Sequence, residues 1–322
     1  MKKIFAFIAA AVMTAGLLGG CSGAAYTDGT AVNIAMLKGP TGIGAVELME
    51  KSESGETEGS YNITVAAAAD DVTAKILSGE IDIAAVPTNL ASVLYNKTEG
   101  GVTALAVNTL GVLYVLENGD TVHSVADLSG KTIYSSGQGA VPEYVLNYIL
   151  EKNGVTDANV EYMGEHAEVA AAIAGGTADI VLLPEPNVTA ATMKNEGTRI
   201  ALDLTEEWNK ISGNHMAMGC LIVRNEFLKE HRDSVDTFLK EYAESIGYVN
   251  SNISKAAELV EKYGIMASAK AAETAIPNCN IVYIDGNEMK DMLTGFFGVL
   301  FEAEPKAVGG KLPENDFYYV NK

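Results

Sequence analysis

The chain has 322 residues and a formal charge of −20, because 42 acidic side chains outnumber 22 basic ones. A chain this acidic is repelled by nucleic acid and by anionic lipid surfaces, which argues against direct binding to either. The length predicts about two domains with an ample buried core.

The N-terminal segment predicts export and lipid attachment. Two lysines precede an apolar run over 4–18, which has the length of a signal peptide and is shorter than the ~20 residues of a membrane span. The following LGGC motif ends at Cys21 and has the pattern of a lipobox, where a bacterial lipoprotein is cleaved and lipidated. We therefore expect 1–20 to be a signal peptide and 21–31 a lipidated tether, with the lipid on Cys21 as the only membrane attachment of an extracytoplasmic protein.

The first predicted strand, over 32–37, runs into a glycine-rich turn that opens a helix. Such a turn points backbone N–H groups at whatever lies above the helix start, and Thr41 and Gly42 belong to this surface. The glycine spacing matches neither a P-loop nor a dinucleotide fingerprint, so nucleotide binding is not indicated. The turn is either a plain tight turn or part of a ligand site. The charged segment 51–60 after the helix is predicted to be a hairpin or a loop.

A segment over 72–89 recurs 97 positions later. Each copy has an apolar helical face, then a glycine where the chain turns left-handed, then a continuous apolar strand that ends at a proline. In the first copy the face comprises Val72, Ile76 and Leu77. The shared residues are Val72, Ala74, Ile76, Gly79, Asp82, Ile83 and Pro87 in the first copy and Val169, Ala171, Ile173, Gly176, Asp179, Ile180 and Pro184 in the second. A chance recurrence of a common helix–strand pattern is the alternative interpretation.

Polar residues follow both strands of the repeat. Thr88 and Asn89 come after the first strand, and Glu185 comes after the second. In open α/β sheets the carboxyl ends of the strands form the edge where ligands bind. The repeat therefore predicts two similar lobes whose binding edges face a shared cleft.

A serine- and glycine-rich segment opens another predicted helix, which runs to about Lys152. Ser136, Gly137, Gln138 and Gly139 would present N–H groups and hydroxyls at the same edge, or would form only a flexible approach to a capped helix. His166 is predicted to be a capping or surface histidine.

Two crossings between the lobes are predicted. The first lies at Asn108, and Asn214 and Met216 line the second, after which 218–223 returns to the first lobe as a strand. From Arg224 onward the chain is predicted to be helical, over 225–240 and on through 250, over 254–263 and over 286–301. Its apolar stripe is interpreted as packing and consists of Phe227, Val235, Phe238, Leu239, Tyr242 and Ile246. Cys220 and Cys279 are favoured as two buried thiols, although pairing in an oxidising compartment stays open.

Together these features resemble the solute-binding lipoproteins of ABC importers, most closely the nitrate, sulfonate and thiamine-precursor type. The resemblance is carried by the lipobox, the Gly/Thr turn, the pair GEIDIAAVP and GTADIVLLPEP, the phrase SVADLSGKTIYSSGQGA and the helical C terminus. It implies an α/β, two-lobed type 2 periplasmic-binding-protein fold, in which each lobe is a mixed sheet flanked by helices and two hinge crossovers join the lobes. Lobe 1 would comprise 32–109 and 216–322, and lobe 2 would comprise 110–215.

The same resemblance implies a monomer without a cofactor or bound metal, which captures a small solute in the cleft and delivers it to an ABC permease with its ATPase. The implied ligand contacts are Thr41, Gly42, Thr88, Asn89, Asn108, Ser136, Gly137, Gln138, Gly139, Glu185, Asn214 and Met216.

The charge of the solute is open. Helix starts favour an anion such as a sulfonate or carboxylate. Lys38 is the only cation on the predicted edge, however, and Glu185 with Asp70 would repel an anion. Carboxylates favour a pyrimidine, an amine or another neutral-to-cationic heterocycle that donates hydrogen bonds.

Two rival functions belong to other classes. A small-molecule lyase with the same fold would need a placed acid or base, but the chain has no metalloprotease motif, nucleophile elbow or C-x-x-C, and its four histidines have no metal-like spacing. A structural or adhesive surface lipoprotein would need no cleft.

Overall fold

The computed structural model describes residues 29–320. The predicted signal peptide, Cys21 and most of the predicted tether lie outside the described residues. Within 29–320, no helix is long and apolar enough to cross a membrane.

The described residues form eleven strands and thirteen α-helices. The strands are β1 Ala31–Leu37, β2 Ser60–Ala66, β3 Ile83–Pro87, β4 Val102–Thr109, β5 Leu113–Asn118, β6 Thr132–Ser135, β7 Asn159–Tyr162, β8 Ile180–Pro184, β9 Thr198–Asp203, β10 Gly219–Arg224 and β11 Ile281–Asp285. The helices are α1 Pro40–Ile43, α2 Val46–Ser54, α3 Ala69–Ser78, α4 Thr88–Lys97, α5 Val141–Lys152, α6 His166–Ala174, α7 Asn187–Lys194, α8 Leu204–Ser212, α9 Asn225–Glu230, α10 Arg232–Ser251, α11 Ile253–Lys262, α12 Ala269–Ala275 and α13 Gly286–Ala303.

The strands form two mixed sheets, which confirms the predicted fold class. The six-stranded sheet has the order β11-β4-β10-β3-β1-β2, and the five-stranded sheet has the order β7-β6-β8-β5-β9. We call the first sheet with its helices the first lobe and the second sheet with its helices the second lobe. In the first lobe β1 pairs in parallel with β2 and β3, whereas β10 pairs antiparallel with β3 and β4.

The chain passes between the sheets twice. It leaves the first sheet after β4, through 110–112, and returns between α8 and β10, through 213–218. The strand β10 then lies inside the first sheet, between β3 and β4. The predicted lobe boundaries at 109/110 and 215/216 stay a prediction.

The internal repeat is a structural repeat as well. The strands β3 and β8 have bounds that differ by the predicted offset of 97, and both are buried up to the final proline. Gly79 and Gly176 both adopt left-handed conformations, with φ values of 79° and 72°. In α3, Val72 and Ile76 are buried, but Leu77 is 54% exposed, so its assignment to the apolar face was wrong. Leu77 lies about 100° around the helix from Ile76, outside the i, i+4 row that faces the sheet.

The C-terminal third is less uniformly helical than predicted. The strand β11 pairs antiparallel with β4 at the edge of the first sheet, in a stretch between two predicted helices for which no strand was predicted. The segment 51–60, predicted to be a hairpin or a loop, is helical up to Ser54, where α2 ends. The apolar stripe of α9 and α10 is buried as predicted. Cys220 and Cys279 are both buried free thiols, and burial raises the pKa of each.

Trp208 anchors the second crossing. Its side chain is fully buried, and its indole N–H donates a hydrogen bond of 2.7 Å to the carbonyl of Asn214. The indole lies between Tyr148 of α5 and Phe296 of α13, at ring-centroid distances of 5.0 and 5.4 Å. The core is therefore continuous from the second lobe to the C-terminal helix.

Candidate functional site

A cavity of about 220 Å³ lies between the two lobes. The first lobe contributes residues 37–41 after β1, Pro87 at the end of β3, and Met218 before β10. The second lobe contributes 140–142 at the start of α5 and 184–187 at the end of β8. The cavity thus lies at the carboxyl ends of the parallel strands, where an open α/β sheet binds its ligand.

Prolines form much of the cavity wall. Five of the eight prolines in the chain line it, namely Pro40, Pro87, Pro142, Pro184 and Pro186. Proline has no backbone N–H and a restricted φ angle, so this wall is rigid and offers few hydrogen-bond donors. The wall is therefore largely apolar, and the polar groups of the cavity are the few side chains that lie between the prolines.

Glu185 is the acidic group of the cavity. It lies between β8 and α7 and is only 3% exposed. Its carboxylate accepts hydrogen bonds of 3.0 Å from the backbone N–H and from the hydroxyl of Thr189. Burial raises the pKa of Glu185 above its ordinary value of 4.5, and the two bonds from Thr189 only partly oppose this shift.

His166 lies in the cavity wall, which corrects its predicted role as a capping or surface residue. It is the first residue of α6, it is half-buried, and its Nδ1 contacts the hydroxyl of Ser136. Burial lowers the pKa of His166. The sequence did contain a signal for this position. His166 begins a helix of the repeat, and such helix starts lie at the same sheet edge as the strand ends.

The turn after β1 contributes one predicted residue. Thr41 lines the cavity, and its hydroxyl donates a hydrogen bond of 3.1 Å to the carbonyl of Leu37. Gly42 lies behind it: a Cβ there would approach the Leu37 carbonyl oxygen to 2.6 Å. Gly42 is therefore needed for close packing of the turn and does not line the cavity.

Thr88 and Asn89 are turned away from the cavity into the first lobe. The Thr88 hydroxyl donates a hydrogen bond of 2.6 Å to the Ala217 carbonyl, and the Asn89 amide donates one of 3.4 Å to the Ala307 carbonyl. The helix α4 begins at Thr88 itself, so the chain turns inward directly after Pro87. Pro87 lines the cavity in place of the two polar residues.

The predicted hinge residues also lie outside the cavity wall. Asn108 is fully buried and its amide donates a hydrogen bond of 3.2 Å to the Tyr242 hydroxyl. Met216 is buried in the core, and the Asn214 carbonyl accepts hydrogen bonds from Trp208 and Ser212. These residues hold the crossings in place.

The residues of the serine- and glycine-rich segment lie in different environments. Gly137 lines the cavity, whereas Gln138 and Gly139 are exposed. Ser136 lies behind His166 and is 1% exposed. The cavity thus brings together three of the predicted contacts, Thr41, Gly137 and Glu185.

The charges around the cavity differ from the prediction at one position. Lys38 lines the cavity at its exposed rim, as expected for the predicted edge. Asp70 is exposed in the first turn of α3 and does not line the cavity. Glu185 is therefore the only carboxylate among the described cavity residues.

Residues 29–320 contain no group of three His, Cys, Asp or Glu side chains that could hold a metal ion.

Two mixed α/β lobes with two crossings and a cavity between their strand ends define the two-lobed fold of periplasmic binding proteins. An ABC transporter protein from Parabacteroides distasonis has a TM-score of 0.76 and 23% identity, over 91% of this chain and 100% of that chain. The periplasmic aliphatic sulphonate-binding protein SsuA from Escherichia coli has a TM-score of 0.72 and 15% identity, over 91% and 92%. SsuA from Xanthomonas axonopodis pv. citri, an alkanesulfonate-binding protein bound to MOPS, has a TM-score of 0.65 and 15% identity, over 88% and 94%. At these identities the likeness establishes the fold.

The chain belongs to the NMT1/THI5-like family, whose model matches residues 62–256. This match, together with the shared fold, confirms the resemblance predicted from the sequence. A comparison with curated protein sequences gives no match.

Proposed function

We propose that this chain is the solute-binding subunit of an ABC importer, and that it captures a small polar organic molecule in the cavity between its lobes. Family membership and the likeness to an ABC transporter protein and to a periplasmic aliphatic sulphonate-binding protein support this function. A solute that contacts both lobes stabilises the closed arrangement by its differential affinity for it, and the closed shape is then presented to the permease. In this proposal the protein is a monomer, anchored outside the cell membrane by lipid on Cys21, and is not an enzyme.

The solute that fits best is a neutral or cationic nitrogen heterocycle, similar to a thiamine precursor. Glu185 is the observation that carries this choice. An anion such as a sulfonate would have to approach this buried carboxylate, and the only lysine of the cavity wall lies at the exposed rim. A ring N–H or amino group would instead donate a hydrogen bond to Glu185.

The size and shape of the cavity support a single-ring solute. Its volume of about 220 Å³ is below the ~300–1,000 Å³ of pockets that hold drug-sized ligands. The proline wall would contact the faces of the ring, and Glu185 would contact its polar edge. Both lobes supply prolines, so the ring would be held between them in the closed state.

A thermal-shift screen of the full chain in detergent tests this proposal. The panel contains aminopyrimidines, other nucleobase-like heterocycles, amines, sulfonates and carboxylates. A solute present at 100 times its dissociation constant adds about 2.7 kcal/mol to the free energy of unfolding, which raises the melting temperature clearly. We expect heterocycles to stabilise the protein and to be recovered unchanged. Stabilisation by sulfonates alone would contradict the proposed solute class, and turnover of a panel member would favour the lyase alternative.

A further inference from the structure

We infer that His166 is a polar contact for the solute in addition to Glu185, and that Ser136 orients the His166 ring so that Nε2–H faces the solute. The site would therefore select heterocycles that have an acceptor nitrogen as well as a donor N–H. This inference rests on the proposed function, because it concerns the same cavity.

The contact with Ser136 decides which ring nitrogen is available. The Ser136 hydroxyl contacts Nδ1 of His166, while the His166 ring lines the cavity. Nδ1 is thus occupied by the protein, and Nε2 has no protein partner among the described residues. Nε2 is not a buried atom without a partner, because it is accessible to open space.

The same contact decides where the ring proton lies. Ser136 is 1% exposed, and its hydroxyl has no other hydrogen-bond partner among the described residues. If the hydroxyl accepted a bond from Nδ1–H, its own proton would be buried without an acceptor, which is unfavourable. The favoured arrangement has the hydroxyl donating to Nδ1, so the proton of the neutral ring lies on Nε2.

The ring is held in its neutral form. His166 is the first residue of α6, where the positive end of the helix disfavours an imidazolium. Burial acts in the same direction and lowers the pKa of His166. At neutral pH the site therefore offers one neutral donor, Nε2–H, beside the acceptor oxygens of Glu185.

Both groups belong to the second lobe, which makes their spacing independent of lobe closure. They lie at the starts of the neighbouring helices α6 and α7. At the equivalent positions of the repeat, 97 residues earlier, the first lobe has Ala69 and Thr88, and neither lines the cavity. The second lobe alone thus presents a preorganised donor–acceptor pair, which reduces the entropy lost on binding.

A pair of ligands and a pair of variants test the inference. 4-Aminopyrimidine has an amino donor and ring acceptors, whereas aniline keeps the donor and lacks the acceptors. Titration calorimetry of the full chain at neutral pH should show that the wild type prefers 4-aminopyrimidine.

The variant His166→Asn keeps a group near Nδ1 but has none at Nε2, so we expect the preference to fall by about tenfold, as for the loss of one hydrogen bond. The variant His166→Gln places an amide N–H near the position of Nε2 and should retain most of the preference.

Ser136→Ala tests the positioning role. Nitrogen NMR of the imidazole should show the Nε2–H tautomer in the wild type and a mixture of tautomers in Ser136→Ala, a change that a merely structural role would not produce. His215→Asn alters an exposed histidine outside the cavity and is the matched control. Melting temperatures without ligand identify any variant that fails to fold.

The outcomes separate the two proposals. An unchanged preference in His166→Asn, with normal binding by the wild type, would overturn the role of His166 and leave the proposed function standing. An Nδ1–H tautomer in the wild type would overturn the inference in the same way. If the wild type binds no heterocycle of any kind, the proposed solute class and this inference both fall.

Discussion

Thr189 donates two hydrogen bonds to the carboxylate of Glu185, one from its backbone N–H to Oε2 and one from its hydroxyl to Oε1, each 3.0 Å long. The pair lies one turn apart at the start of α7, so the helix itself holds the carboxylate at the cavity wall. Burial nevertheless raises the pKa of Glu185, which means that the native state binds this proton more tightly than the unfolded chain does.

The raised pKa predicts a specific pH dependence of stability without ligand. Above the ordinary value of 4.5 the unfolded chain has lost the proton while the native protein still holds it, so the free energy of unfolding falls as pH rises towards the native pKa. The variant Glu185→Gln should lack this decline. Melting temperatures of both proteins across this pH window measure the difference, and Glu196→Gln, an exposed residue outside the cavity, is the control. Parallel pH profiles for wild type and Glu185→Gln would contradict the assignment.

The first crossing depends on the lack of a side chain at Gly111. A Cβ there would lie 2.2 Å from Oγ1 and 2.8 Å from Cγ2 of Thr205, and the Asn280 amide donates a hydrogen bond to the Gly111 carbonyl. We expect Gly111→Ala to destabilise the protein by about 1–3 kcal/mol, as for other overpacked sites. Thr205→Ala removes the two closest contacts but keeps the Thr205 Cβ at 2.9 Å, so the double variant should recover part of the loss. Chemical denaturation of all three variants measures this, and additive losses would show that the two positions are not coupled.

The repeat supplies a matched pair of aspartates in different environments. Asp82 is 4% exposed, pairs with Arg224 at 2.7 Å and accepts two hydrogen bonds from Asn33, whereas its equivalent Asp179 is exposed and forms no ion pair among the described residues. Removing one partner of a buried ion pair typically costs about 3–5 kcal/mol. We expect Asp82→Ala to lose that much stability, and Asp179→Ala to change it by less than about 0.5 kcal/mol. Urea denaturation compares them, and similar losses would refute the distinction.

The lipobox makes a prediction that concerns location alone. Cys21→Ala should prevent lipid attachment and release the protein from the membrane fraction, while Ser22→Ala should leave it attached. Membrane fractionation with labelling by a radioactive fatty acid measures both effects. Continued lipid labelling of Cys21→Ala would show that the anchor lies elsewhere.

Much of the fold could be predicted from the sequence because its signals are local. The strands β3 and β8 are continuous apolar runs between a left-handed glycine and a proline, and each of these features depends on a few neighbouring residues. The strand β11 gave no such signal. It is five residues long, its residues are mostly half-buried at the sheet edge, and its pairing with β4 joins segments far apart in the sequence.

The site was predicted less completely, because the direction of a side chain depends on where a helix begins. Thr88 and Glu185 are equivalent in the repeat, and both follow a buried strand. The helix α4 begins at Thr88 and turns it inward, whereas α7 begins at Asn187 and leaves Glu185 in the cavity wall. His166 was missed for a related reason: it lies in the cavity wall in contact with Ser136, which is 30 residues earlier in the chain.

Titration calorimetry of the heterocycle that most stabilises the protein, against the wild type, Glu185→Gln and Glu196→Gln, tests the central claim most directly. A hydrogen bond to a charged group contributes about 1.5–3 kcal/mol, so Glu185→Gln should weaken binding roughly 10- to 100-fold while Glu196→Gln binds as the wild type does. Tight binding of a sulfonate that is unchanged or strengthened by Glu185→Gln would contradict recognition of a nitrogen heterocycle by this carboxylate.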